Sequence, residues 1–120
     1  MMKESPLMIK SKTFALKVIK VCKELRAAKC ESTLINQFLR SGTSIGANIR
    51  EAFYAHGPAD FVAKLQIALK EANETGYWLE LLFKTNYIDE KTFKTLSSKC
   101  TALRVMLVAS CKTVKESMEQ

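Results

Sequence analysis

Residues 96–114 read LSSKCTALRVMLVASCKTV, and their spacing decides the fold. Leu96, Cys100, Leu103, Leu107, Ser110 and Val114 alternate in steps of four and three, which keeps them on one side of an α-helix. That stripe is the seam of an antiparallel bundle. Working back along the chain, three more segments carry the same period with short breaks between them. The helix before it starts at His56-Gly57-Pro58, with the stripe Phe61, Leu65, Ala68, Ala72, Gly76, Leu79 and Phe83. Asn86 marks its end, and Asp89 is the N-cap of the next. A helix over about Ser32 to Ala55 carries Leu34, Phe38, Ile45, Ile49 and Ala52, widened by Ile35, Leu39, Gly42, Gly46 and Phe53. Gly57 reads as its C′ residue and Pro58 as the first turn of its successor. The first helix spans about Ser11 to Ala28, with Ser11 as N-cap and Phe14, Val18, Val21, Cys22 and Leu25 inward. Residues 1–10 read as a flexible N-terminal arm and residues 11–120 as a single domain. The expected fold is all-α, an up-down-up-down antiparallel four-helix bundle.

The composition agrees. The chain has 120 residues, enough for one domain, with 48% apolar and 26% charged residues. Four Gly and two Pro exclude a turn-rich β-sandwich or barrel. No apolar run approaches the ~18 residues that span a bilayer, so no membrane partner is expected. The first dozen residues do not form a secretory signal, which implies a cytoplasmic protein with reduced thiols. Of the four cysteines, Cys22 and Cys100 fall on apolar stripes and read as small core residues. There is no Cys-x-x-Cys, and His56 is the only histidine. Neither a metal site nor a cofactor is expected.

Charge is uneven along the chain. Residues 1–50 hold ten Lys/Arg and three Glu, while residues 51–120 hold nine basic and nine acidic residues. Counted this way the whole excess of +7 lies in the first two-fifths, and helices 3 and 4 are neutral. Lys17, Lys20 and Lys23 form a ridge on helix 1, and with Arg40 and Arg50 they are the candidate contacts to RNA or DNA. No aromatic residue interleaves with the lysines, so base stacking on single strands is not expected.

Several helices carry more apolar surface than one bundle uses. Ile67, Trp78 and Leu81 lie away from the helix 3 stripe, Val105 and Val108 lie nearly opposite the helix 4 seam, and Leu16 and Ile19 sit among lysines. Grouped exposed apolar residues that include a Trp mark an interface, so these seven predict self-association.

Residues 41–48, Ser41-Gly42-Thr43-Ser44-Ile45-Gly46-Ala47-Asn48, are poor helix formers. Two mid-helix glycines cost about 1–2 kcal/mol relative to alanine. Gly42 and Gly46 share a face and read as a close-packing device, with Asn48 beside them. Arg40, Asn48 and Arg50 flank this segment and would need partners if buried, with Glu71 and Glu74 as the candidates, and solvent exposure is expected of Arg50 more than of the other two. A catalytic serine lacks a triad, because His56 is the only imidazole. A phosphate loop lacks both its Gly-Lys-Ser/Thr and a preceding strand. Glu71, Glu74 and Glu80 lack the Glu-x-x-His motifs of a di-iron bundle. No catalytic residue is assigned, and the chain is expected not to be an enzyme.

Residues 39–52, Leu39-Arg40-Ser41-Gly42-Thr43-Ser44-Ile45-Gly46-Ala47-Asn48-Ile49-Arg50-Glu51-Ala52, resemble the signature of the bacterial four-helix-bundle proteins encoded in 23S rRNA intervening sequences. Asp60-Phe61-Val62-Ala63-Lys64-Leu65-Gln66-Ile67-Ala68-Leu69-Lys70-Glu71-Ala72 resembles their second motif, continued by Glu74-Thr75-Gly76-Tyr77-Trp78-Leu79-Glu80-Leu81-Leu82. The resemblance implies a homopentamer of unknown function with no enzymatic activity. It also implies kinship with the accessory variability protein of diversity-generating retroelements, a pentameric barrel that binds nucleic acid and a reverse transcriptase. The expectation is a homopentameric bundle contacting RNA or DNA through its basic half. The alternative is a protein–protein adaptor or scaffold that binds another protein and no nucleic acid.

Overall fold

The structure is a computed structural model and describes residues 4–119. Four helices follow in order: α1 (Pro6–Ala27), α2 (Ser32–Ala52), α3 (Pro58–Lys84) and α4 (Glu90–Met118). They pack side by side into a body of 52 × 27 × 22 Å. The four helices of the sequence reading are all present, and several of their ends differ.

α1 begins earlier than Ser11. Ser5 is the N-cap, its hydroxyl accepting the Met8 N–H at 3.2 Å, and Pro6 fits the first turn, where its missing N–H costs nothing. Residues 6–10 are therefore helix and not an arm, and Leu7 is buried. Residues 1–3 of that expected arm lie outside the described residues. Ser11 is not a cap but a buried side chain facing α2, with its hydroxyl donating to the Met8 carbonyl.

Two turns are closed by residues other than glycine. Lys29 (φ 60°) and Asn86 (φ 66°) are left-handed. In each case the next residue reaches back to the helix: Cys30 N–H to the Leu25 carbonyl at 3.0 Å, and Tyr87 N–H to the Leu82 carbonyl at 2.9 Å. These are Schellman closures, which satisfy carbonyls the helix leaves open. α2 stops at Ala52 instead of Ala55. Gly57 is not its C′ residue: with φ −173° it is extended and is the N-cap of α3. The Phe53 and Phe61 rings meet edge to face at 5.5 Å and clip this loop shut. Asp89 caps α4, its carboxylate accepting the Thr92 N–H at 2.8 Å.

Phase differs in α3. Leu65, Ala68, Ala72 and Leu79 of the expected stripe are buried, but Val62, Thr75 and Leu82 are buried where Phe61, Gly76 and Phe83 were expected, and those three are only half-buried. The helix faces α2 on one flank and α4 on the other, so its buried arc is wide. In α4 the seam ends on buried Cys111, with Ser110 and Val114 only half-buried.

α2 and α3 are joined most extensively, and α1 and α4 least. At the α2/α3 contact the buried Ser41 and Thr75 hydroxyls lie 3.0 Å apart, and Thr75 Oγ1 is 2.7 Å from the Glu71 carbonyl. On the α1 side, a Cβ on Gly42 would stand 2.9 Å from both methyls of buried Val18. The glycine is what lets α1 and α2 approach this closely.

Candidate functional site

The helices regroup the charge. α1 carries six basic residues and one acidic, and α4 six basic and two acidic. α3 carries three basic and four acidic, α2 two and one. α4 is therefore not neutral. Its charge is hidden in the half-chain count because α3 and the flanking loops supply most of the acids. α1 and α4 are neighbours in the bundle, and Lys10 and Lys99 stand on the two walls of their seam, whereas Lys12 lines the α1/α2 groove and Arg104, Lys112 and Lys115 lie on the α3 side of α4. Between Glu4 and Glu24, and again between Glu90 and Glu116, the chain holds no carboxylate at all. Those two stretches supply eleven cations: Lys10, Lys12, Lys17, Lys20 and Lys23 from the first, and six more from Lys91 to Lys115.

Few of these cations are neutralised. Among the described residues Lys12 pairs with Glu4 at 2.8 Å and Lys94 with Glu90 at 3.0 Å, and the other nine have no carboxylate partner. Lys17, Lys20 and Lys23 are all exposed. Arg40 is different. It lies on α2, away from this face, and its guanidinium bonds to Glu71 at 3.1 Å and also to Glu74. With two carboxylates upon it, Arg40 is better described as a strap between α2 and α3 than as a phosphate contact. Arg50 is exposed and lines a shallow α1/α2 groove of about 220 Å3 with Glu4, Ser11, Lys12, Thr43 and Gly46.

The α1/α4 seam itself is open. Lys10, Thr13 and Phe14 on α1 and Ser98, Lys99, Ala102 and Leu103 on α4 line a cleft of about 300 Å3. It exists because Thr13, Ser98 and Ala102 are too small to fill the space between the helices. Phe14 and Leu103, both buried, form its floor.

The small-residue segment plays a packing part. Gly42 is buried against Val18, and a Cβ on Gly46 would meet the Ser11 hydroxyl at 3.3 Å. Asn48 is half-buried and donates to the Ser44 carbonyl of its own helix at 2.9 Å, so it reaches no other element. Leu16 (62%), Ile67 (42%), Val105 (64%) and Val108 (53%) are exposed, and Ile19 only marginally so. Trp78 and Leu81 are half-buried within the chain, Trp78 packing against the core edge and the Tyr77 ring. The Trp78 Nε1 hydrogen is buried without an acceptor among the described residues. Exposed Ile9, Tyr54 and Tyr77 were not singled out from the sequence. Ile9 fell in the expected arm, and the two tyrosines lay on no stripe.

The cysteines have no catalytic setting. All four are buried and unpaired. Burial pushes the Cys22 and Cys100 thiols up to about 11, and those of Cys30 and Cys111 upward as well, so all stay protonated and weakly nucleophilic. No group of three or more His, Cys, Asp and Glu with metal-holding geometry occurs among the described residues. Nor is any described helix long and apolar enough to cross a membrane.

Fold and surface together define a class: a small all-helical bundle whose notable chemistry is an unbalanced basic face. The chain belongs to the family of 23S rRNA-intervening sequence proteins, whose family model matches residues 3–109. A crystal structure of a protein of unknown function from the S23 ribosomal protein family of Bacteroides thetaiotaomicron VPI-5482 superposes with a TM-score of 0.86 at 46% identity. That match covers 88% of this chain and 98% of the other. No functionally curated protein shows significant similarity to the chain.

Proposed function

We propose that the protein is a non-catalytic, self-associating bundle that presents its α1/α4 face to RNA. The observation that carries this reading is that two carboxylate-free stretches of sequence on adjacent helices hold eleven cations, nine of them without a carboxylate partner among the described residues. A phosphate backbone is the partner that rewards such a field, through released counterions. A homopentameric ring would repeat the face five times and let weak contacts sum. Exposed Leu16, Ile67, Val105 and Val108 support self-association, because apolar surface of this kind is most simply covered by another copy.

Two measurements test the reading on the full chain. Light scattering after size exclusion is expected to give several times 13.5 kDa, and a monomer at micromolar concentration overturns the assembly. Trp78→Ala is expected to weaken that assembly, and an unchanged size distribution shows that the half-buried ring serves its own chain alone. RNA is expected to bind at about 50 mM salt and to be lost by about 200 mM. Lys17/Lys20/Lys23→Glu is expected to bind far more weakly than wild type. No binding by wild type at the lower salt overturns the RNA reading and turns attention to a protein partner.

A further inference from the structure

The basic face is not uniform: its middle is the α1/α4 cleft, and nothing in the sequence marks it. Lys10 stands on one wall and Lys99 on the other, each without a carboxylate partner among the described residues. The Ser98 hydroxyl makes no hydrogen bond within the described residues, while Thr13 donates to the Ile9 carbonyl. Phe14 and Leu103 close the floor but are each only 1% exposed, so exposed Ala102 and the aliphatic parts of Thr13 and the two lysines supply the apolar lining. The volume of about 300 Å3 falls at the lower end of the range for small-ligand sites. Lysines, an uncommitted hydroxyl and a partly apolar wall at Ala102 are complementary to an anion joined to a less polar body. A bare phosphate would leave the Ala102 wall wet, and an acyl chain would leave the lysines unused.

We propose that this cleft seats one nucleotide unit of a single RNA strand, its phosphate between Lys10 and Lys99 and its sugar and base over the Ala102 side of the floor. The site deepens the RNA reading and rests on it. It also assigns the discriminating contacts to the seam and not to the outer ridge of Lys20 and Lys23. Those ridge lysines act on the strand as a screened field, whereas the cleft lysines touch it.

The test compares three full-length variants with wild type, using a short labelled single-stranded RNA titrated across a salt series. Lys10→Gln/Lys99→Gln and Lys20→Gln/Lys23→Gln remove the same charge from the cleft and from the ridge. Ala102→Phe fills the cleft and leaves the charge intact. The cleft pair is expected to lose about tenfold or more in affinity and to flatten the log–log salt slope by ~0.7, the value for one lost single-strand phosphate contact. The ridge pair is expected to lose less, and Ala102→Phe to weaken binding at unchanged net charge. Circular dichroism and thermal melts identify any variant that fails to fold, and Thr13→Phe then repeats the filling from the other wall. Equal losses for the two lysine pairs, or a filled cleft that binds like wild type, overturn the cleft while RNA binding itself stands. Absence of wild-type binding overturns both.

Discussion

A methyl group placed on Gly42 would collide with both methyls of Val18 at 2.9 Å, and Val18 is fully buried and β-branched, so it has no rotamer to retreat into. Gly76 sits in the middle of α3 with nothing within 4 Å of the same position. Two glycines of equal helix propensity are therefore expected to respond with opposite signs. Gly42→Ala should destabilise by about 1–3 kcal/mol through overpacking, despite the propensity gained. Gly76→Ala should stabilise by about 0.5–1 kcal/mol, because only the backbone entropy changes. Paired urea titrations check this, and a common sign for both would refute the packing role of Gly42. The close-packing part of Gly42 was legible from its spacing, since poor helix formers at i and i+4 need a compensating contact. Placing Gly76 in the core was wrong for the converse reason: an absent side chain leaves no trace of which way it points. Thr75 was passed over because its hydroxyl looks like a surface group, and only the facing Ser41 hydroxyl explains its burial.

At the scale of the element, helix identity followed from the apolar period, whereas the ends depended on groups the period does not report. Ser5 and Pro6 mark the start of α1, but they lie ahead of the apolar stripe, which begins at Phe14. Lys29 and Asn86 close their turns in left-handed geometry, and of these only Asn86 is a residue type that advertises it. Two thiols sit where helices meet, Cys100 Sγ 3.2 Å from the Ala72 carbonyl of α3 and Cys22 Sγ 4.0 Å from the Ile35 carbonyl of α2. Burial raises both to about 11, from an ordinary value of 9.0. The folded chain thus holds these protons more tightly than the unfolded one. The stability this represents is complete below about pH 9 and is lost as pH rises through 11, of the order of 2–3 kcal/mol per thiol at most. Denaturation midpoints followed from neutral to alkaline pH should fall more steeply for wild type than for Cys22→Ala/Cys100→Ala. Parallel slopes would show that the thiols do not carry the decline.

For the whole molecule, the basic face was the part least legible in the sequence. Half of it lies in residues 5–23 and half in residues 91–115, and a count by halves of the chain assigns the second half to a neutral remainder. Only the adjacency of α1 and α4 brings the two near each other, and adjacency of the first and fourth helices is a property of the bundle. The α2/α3 contact moves Arg40 out of the candidate surface, since its partners Glu71 and Glu74 come to it from α3. Eleven like charges on two touching helices also act on the protein itself. Each lysine beside the seam repels those across it, and the helix pair with the least shared surface is the one that bears this repulsion. Dissolved sodium chloride shortens the reach of that field to about 8 Å at physiological strength. The melting temperature is therefore expected to rise with added salt over the same range in which the proposed RNA binding is expected to weaken. A calorimetric scan at low and at moderate salt checks the sign. The bundle by itself carries this electrostatic tension, and the proposed RNA, laid along the seam, would relieve it, so that binding and folding would be linked through one set of charges.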